Sequence, residues 1–254
     1  MKTGIFIAVV VLFHLSPAIT YSQPGATAEE AGSLQRLPGN IFSGIDRPSA
    51  FSAGFEIRTK GSSNLLTTTL PGRIDVLREK RRIEVDFGAM LTNGSPELSS
   101  DRFLRNGGMR VVFVLRPDKH VYWEKWSYRD TYMERPMKDS DASHSESQHK
   151  VEVTRLGEEV VDGHPCVKSK VVETDTEGRK HESIVWSATD LKNFPLKTEN
   201  STCVMLFKDV KLEAPDDALF DPPGKLKANM LTLLFDLAKL IHEMKRDAAA
   251  TNSW

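Results

Sequence analysis

Cysteine is scarce in this chain of 254 residues, which contains only Cys166 and Cys203. Neither lies in a C-x-x-C pair, and the histidines near them do not have the spacing that holds zinc. No catalytic triad, carboxylate pair or metal-ligand set can be assembled from the sequence alone. We therefore predict that the protein is not an enzyme, with no catalytic residue, no metal site and no cofactor.

A strong charge of either sign is also absent. The chain has 34 Lys and Arg against 35 Asp and Glu, for a formal net charge of −1. Such a balance creates no global field to attract nucleic acid or an anionic membrane, so we predict no nucleic-acid partner. Hydrophobic residues make up 39% of the chain. That fraction suits a sheet with one wet face.

Long hydrophobic runs are missing except near the first residue, in "MKTGIFIAVVVLFHLSPAITYS". A single Lys, a short apolar run and small residues before residue 22 are typical of a secretory signal peptide. The run is too short for a convincing membrane span. We predict a signal peptide over 1–22, a flexible arm over 23–48, and a periplasmic or secreted location after cleavage.

What is present, from residue 49 onward, is an alternation of apolar and polar residues. The segment "FSAGFEIRT", residues 51–59, alternates with a period of two, and about ten similar segments follow between turn signals such as Pro71-Gly72 and Pro117-Asp118. Short alternating segments with close connections indicate an antiparallel meander. We predict an all-β domain over 49–224 that curls into a barrel or an open half-barrel.

One cysteine lies in an unusual context, "EEVVDGHPCVKSKV", which runs from Glu158 to Val171. Four interpretations of the thiol near His164 are open: a nucleophile, a metal ligand, half of a disulfide, or an ordinary strand residue. We favour a structural role, in which Gly163 and Pro165 shape a hairpin turn and Cys166 starts the next strand. An oxidising compartment favours a disulfide between Cys166 and Cys203, with two unlinked core thiols as the alternative.

The last part of the chain has a helical pattern instead. Residues 225–247, followed by a tail over 248–254, predict an amphipathic helix with apolar residues spaced by four and three. Three roles for its apolar stripe are open: a lid over the open face of the sheet, a membrane-surface contact, or a seam with a second copy. We favour the lid. The stripe consists of Met230, Leu234, Leu237, Ile241 and Met244.

The large apolar strand residues are the candidates for a ligand site. Two interpretations are open: these side chains line a cavity, or they fill a solid core. Both require the same alternation of apolar and polar residues along each strand. These candidates are Phe55, Ile57, Val111, Phe113, Trp123, Trp186, Met205 and Phe207.

Four phrases, in order across residues 51–224, resemble an exported bacterial family within the LolA/LolB-like superfamily of periplasmic lipoprotein carriers and outer-membrane lipoprotein receptors. They are "VLRPDKHVYW", "TRLGEEVVDGHPCVKSKV", "ESIVWSATDLKNFPLK" and "DVKLEAPDDALFDPPG". The resemblance implies a LolA-like open half-barrel whose concave apolar face holds an acyl chain or a hydrophobic peptide.

Together these observations lead to two functional hypotheses. The favoured one is a non-enzymatic binding protein of the cell envelope for a hydrophobic ligand, such as a lipid or a lipoprotein acyl chain. The alternative is a structural or sensory interaction module with a filled core, whose partner is another envelope protein.

Overall fold

The computed structural model describes residues 48–60, 66–94, 108–128, 131–137, 150–174 and 178–228. The predicted signal peptide, the predicted arm up to residue 47, and residues 229–254 with the whole predicted apolar stripe lie outside the described residues. No helix in the described part is long and apolar enough to cross a membrane.

Strands dominate the described residues, with one α-helix, α1 (Phe87–Gly94), and three short 3₁₀ helices over Pro117–Lys119, Thr189–Leu191 and Asp217–Phe220. The strands are β1 (Ala50–Lys60), β2 (Leu66–Leu77), β3 (Lys80–Asp86), β4 (Arg110–Arg116), β5 (Val121–Trp126), β6 (Thr131–Pro136), β7 (Lys150–Val161), β8 (His164–Thr174), β9 (Lys180–Ala188), β10 (Phe194–Glu199), β11 (Cys203–Lys211) and β12 (Leu226–Lys227).

The twelve strands form one sheet in the order β12-β6-β5-β4-β3-β2-β1-β11-β10-β9-β8-β7. Two meanders, β1 to β6 and β7 to β11, meet where β1 pairs with β11. All pairings are antiparallel except that of β12 with β6. The edge strands β12 and β7 do not pair with each other, so the sheet is open. The prediction of an open, antiparallel, all-β fold is confirmed.

Two local predictions about helices are wrong. A helix does not begin at Lys225, because Leu226 and Lys227 pair in parallel with Thr131 and Tyr132 of β6. An extended backbone that follows Pro222-Pro223-Gly224 reaches the edge of the sheet and satisfies its unpaired groups there.

The second error is the omission of α1 between β3 and β4. Asp86 ends β3, and its side chain accepts a hydrogen bond of 2.9 Å from the backbone N–H of Ala89. A carboxylate in that position caps the first turn and starts the helix. The first helical residue, Phe87, stacks on Trp126 with ring centroids 6.1 Å apart. The helix therefore continues the apolar packing of the strands.

The register of the pairings sorts the side chains onto two faces, because directly opposed residues of antiparallel strands point to the same side. We call the side that carries Phe55 the inner face and the other side the outer face. Phe55 lies opposite Phe207 of β11 and Gly72 of β2. The inner-face row continues through Val85 to Val111.

The inner face is the main core of the described residues. The rings of Phe51 and Phe207 both meet Phe194 edge to face, with centroids 5.1 and 5.3 Å away. All three rings are almost completely buried. Burial of this much aromatic surface stabilises the junction between the two meanders.

A smaller core lies on the outer face, where Val114, Trp123 and Phe220 pack together. The Arg116 guanidinium donates a hydrogen bond of 2.9 Å to the carbonyl oxygen of Phe220 and also pairs with Asp118. The hydrogen bonds from Arg116 hold the pKa of Asp118 below its ordinary value. These contacts hold the segment after β11 over β4 and β5. The outer face of these two strands is therefore covered by that segment.

Gly72 carries no side chain at the point where the Phe55 ring crosses β2. A Cβ atom built at Gly72 collides with the Phe55 ring and with the Glu84 carbonyl oxygen. We expect Gly72→Ala to lower the free energy of unfolding by about 2 kcal/mol, because overpacking forces the ring from its site. Urea unfolding followed by circular dichroism measures this loss.

The matched control is Gly54→Ala in the neighbouring strand. There the nearest atom to the added Cβ is the Lys208 carbonyl oxygen at 3.7 Å, an ordinary contact. This variant is expected to stay within about 1 kcal/mol of the wild type. Equal effects of the two substitutions would contradict the close approach of Phe55 to Gly72.

Candidate functional site

Six of the eight predicted lining residues lie together on the inner face. Ile57 and Met205 are directly opposed across the junction of β1 with β11, one row away from the pair formed by Phe55 and Phe207. Val111 and Phe113 lie on β4, in line with Val85 and Ile83 of β3. The structure therefore brings these six side chains onto one surface, because every second residue of a strand points to the same side.

Trp123 and Trp186 point to the outer face, and the prediction that they line the same surface as the other six is wrong. Trp123 opposes Val114, belongs to the outer core and donates a hydrogen bond of 3.0 Å to Glu134. Their position along the strand explains the error, since residues separated by an odd number point to opposite sides. In β5 the inward residues are Tyr122, Glu124 and Trp126.

Trp186 is buried by charged side chains instead of apolar ones. The ammonium groups of Lys197 and Lys168 lie 4.0 and 4.9 Å from its ring centroid, and its Nε1–H donates to Glu159 at 2.9 Å. Cation–π contacts of this kind cover an aromatic ring without an apolar neighbour. Its burial is therefore complete without a ligand.

Exposure differs along the inner face. Of the six lining residues, Phe55, Ile57, Val111, Met205 and Phe207 are buried, whereas Phe113 is only half-buried. Its inner-face neighbours Leu115 and Tyr122 are half-buried too, as is Arg135, which lies opposite Tyr122. We define the β4–β6 patch as Phe113, Leu115, Tyr122, Glu124 and Arg135. It is one part of the inner face where apolar side chains remain accessible among the described residues. Val153 of the edge strand β7, which lies opposite Val171 of β8, is another.

A carboxylate, that of Glu124, lies among the apolar side chains of the β4–β6 patch. Glu124 opposes Phe113 on one side and Met133 on the other, and only 6% of its surface is exposed. One carboxylate oxygen accepts a hydrogen bond of 2.8 Å from Trp126 Nε1. Sequence reasoning missed Glu124 because a single Glu in "VYWEKW" reads as a wet-face residue until its register is known.

Arg135 lies on the same face, opposite Tyr122 in the pairing of β5 with β6. Its Nε atom is buried and makes no hydrogen bond within the described part of the chain. Glu124 and Arg135 are diagonal neighbours across two paired strands, a relation in which long side chains are within reach of each other or of a shared ligand.

The disulfide between Cys166 and Cys203 is wrong, because both thiols are free in the structure. Cys166 lies on β8 and Cys203 on β11, with β9 and β10 between them. Three strand spacings amount to roughly 14 Å. A disulfide needs Cα atoms closer than about 7 Å. The alternative of two unlinked thiols is the one that the structure contains.

The environment of Cys166 supports the structural interpretation of its segment. Asp162 and Gly163, both with positive φ, form the two-residue turn between β7 and β8. Pro165 and Cys166 already lie within β8, which begins at His164, so the prediction that Pro165 shapes the turn and that Cys166 starts the strand is wrong. His164 Nδ1 lies 2.8 Å from an oxygen of Asp190, and the Cys166 thiol donates to the His164 carbonyl oxygen at 3.4 Å. Burial raises the pKa of the Cys166 thiol, which disfavours the reactive thiolate.

Comparison with solved structures finds several to which the chain is similar. The Mycobacterium tuberculosis lipoprotein LppX is 16% identical, with 77% of this chain and 100% of that chain covered and a TM-score of 0.40. A LolA superfamily protein from Nitrosomonas europaea is 10% identical, with 69% and 91% covered and a TM-score of 0.32. MucB is 16% identical, with 81% and 66% covered and a TM-score of 0.37.

No family model matches the chain, and no curated protein matches it by sequence. A LolA superfamily protein is among the structures to which the chain is similar.

The free thiols give a direct chemical prediction. Protein purified without reductant and then denatured should react with two equivalents of iodoacetamide. In the folded state Cys203, which is half-buried, should be alkylated before the buried Cys166, whose pKa is raised. Peptide mass spectrometry at successive times measures both rates. A denatured protein whose mass lacks two hydrogens, and which is not alkylated, would show that the disulfide forms.

Proposed function

We propose that the protein is an exported, non-enzymatic binding protein of the cell envelope for a hydrophobic ligand, a lipid or the acyl chain of a lipoprotein. The observation that carries this proposal is the β4–β6 patch, where Phe113, Leu115 and Tyr122 remain partly accessible on the apolar inner face. Each CH₂ group transferred from water to such a surface contributes about 0.8 kcal/mol. A long acyl chain therefore gains considerable binding energy from a shallow groove.

Access to the inner face is, in this proposal, controlled by the C-terminal amphipathic segment. The apolar residues Met230, Leu234, Leu237, Ile241 and Met244 recur in the sequence at spacings of four and three. In a helix they would form an apolar stripe, and an uncovered stripe of that size promotes association in water. Its residues fit the composition of a lid for an apolar surface. Export follows from the signal-like pattern of residues 1–22.

Native mass spectrometry of protein exported to a bacterial periplasm and purified without detergent tests the proposal. We expect the wild type to carry a lipid-sized adduct that is lost on denaturation. Leu115→Gln should reduce the bound fraction about tenfold, because a polar group placed against the acyl chain costs about 1–3 kcal/mol.

The matched control is Leu206→Gln, since Leu206 is equally half-buried but lies on the outer face, opposite Glu56. It should retain the wild-type adduct. The double change of Leu234 and Ile241 to Ser should speed lipid exchange with vesicles, whereas Asp236→Ser with Lys239→Ser should not. A bare wild-type mass would overturn the ligand-binding proposal.

A second candidate function, the protein-interaction module, is favoured by the edge strand β7. This strand is twelve residues long, and almost every residue in it is exposed. Val153, Leu156 and Val160 expose 62%, 51% and 68% of their surfaces. A long exposed edge pairs readily with an extended segment of another protein, with apolar side chains supplying specificity.

A photo-activated crosslinker at position 160 tests this second function in the periplasm. We expect a discrete adduct with another envelope protein there, abolished by Val153→Lys, and none from the same crosslinker at exposed Glu182 on β9, away from the edge. An adduct of twice the protein's mass would identify a second copy as the partner. No adduct at position 160, or equal adducts at both positions, would contradict edge pairing.

A further inference from the structure

Two ionisable side chains of opposite sign lie side by side in the β4–β6 patch, and neither is neutralised by the other. Glu124 and Arg135 are both on the inner face. No ion pair joins them in the part of the chain that the structure describes, although sixteen other described pairs of Lys, Arg or His with a carboxylate lie within 4.0 Å. A face that binds only hydrocarbon needs neither charge.

Building on the hydrophobic-ligand function above, we propose that Glu124 and Arg135 form a headgroup site for a zwitterionic aminophospholipid. In this site the Glu124 carboxylate accepts hydrogen bonds from the ligand's primary ammonium. The Arg135 guanidinium donates to its phosphate. The acyl chains lie along the inner face beside Phe113.

Glu124 is the stronger half of the argument. Only 6% of the surface of Glu124 is exposed, and on the inner face it lies opposite Phe113 and Met133, with Val111 and Leu115 as diagonal neighbours. Its described hydrogen-bond donor is Trp126 Nε1 alone. An ionised carboxylate has acceptor capacity for about four hydrogen bonds. Burying it with one neutral donor is costly, and a ligand cation that completes the shell removes that cost.

Arg135 supplies the opposite charge at the right place. Its Nε–H, one of five guanidinium donors in a planar fork, is buried and unused within the described residues. That fork matches the geometry of a phosphate and binds it through two parallel hydrogen bonds. The rest of the side chain is half-buried, so an incoming headgroup can reach it.

The separation of the two groups selects a ligand with two adjacent charges. Glu124 opposes Met133, and Arg135 is two residues further along β6. Such diagonal positions are about 7–8 Å apart at the backbone. A group between the two side chains must therefore present a cation to one and an anion to the other. A phosphoethanolamine headgroup does so within a few bonds, whereas a phosphatidylglycerol headgroup offers only the anion.

The test uses the full-length wild-type protein and vesicles with an equal mixture of phosphatidylethanolamine and phosphatidylglycerol of identical acyl chains. After incubation the vesicles are pelleted, and the lipid that stays with the protein is extracted and quantified by mass spectrometry. We expect phosphatidylethanolamine to be enriched about tenfold, in line with the worth of hydrogen bonds to a charged group. Equal mixtures with phosphatidylcholine, whose trimethylammonium cannot donate, should give a similar enrichment.

Variants assign the preference to the two residues. Glu124→Gln should bring the ratio close to one while lipid remains bound, and Arg135→Gln should reduce the bound amount of both phospholipids several-fold. Lys125→Gln and Glu134→Gln, neighbours on the same two strands that point to the outer face, should match the wild type. Circular dichroism checks that each variant is folded, and the wild-type ratio alone tests the proposal if a variant does not fold.

The outcomes separate this inference from the function on which it rests. If the wild type binds neither phospholipid, the hydrophobic-ligand function fails. If it binds both without preference, that function stands and the headgroup site is overturned. Excess soluble glycerophosphoethanolamine should compete only weakly. If it displaces the lipid at equal concentration, the site takes free phosphoethanolamines, and the acyl chains do not contribute to binding.

Discussion

The pairing of β1 with β11 is the contact on which the rest of the structure depends. It joins two meanders that are far apart in the chain and places β1 in the middle of the sheet. On its outer side, Lys208 Nζ lies 2.6 Å from Glu56, and the hydrogen bonds from Lys208 and Arg58 lower the pKa of Glu56. The stabilisation from this ion pair is therefore present above the ordinary glutamate pKa and is lost as the pH falls through the lower, folded value.

The same pairing determines what the inner face can do. With Phe55 opposite Phe207 and Ile57 opposite Met205, the apolar sets of both meanders share one side. A slip of one residue would move one of these sets to the solvent face. The apolar residues of the two meanders consequently share one face only in this register, and the residues around Phe113 form one accessible part of that face. The proposed ligand site thus depends on the pairing of both meanders.

The sequence predicted the strands and the class of fold because alternation with a period of two is visible in a single segment. The errors have separate causes. The inferred disulfide required β8 and β11 to be close, and they are separated by two strands. Trp123 was assigned by its apolar character, although Tyr122, Glu124 and Trp126 are the inward residues of β5. The helix α1 depends on one cap, Asp86, which is too local to give a helical period.

The position of Glu124 connects these points to function. Glu134, on the outer face of the neighbouring strand, accepts hydrogen bonds from Trp123 and from Lys227, the latter at 2.6 Å. Glu124 lies on the apolar inner face, and its described hydrogen-bond donor is Trp126 alone, without a cation. A packed apolar residue in its place would be equally or more stable. The stability of the sheet thus offers no reason for a charge there, whereas recognition of a polar group attached to an apolar chain does. In the proposed function, the inner face would combine the burial of hydrocarbon with discrimination between headgroups.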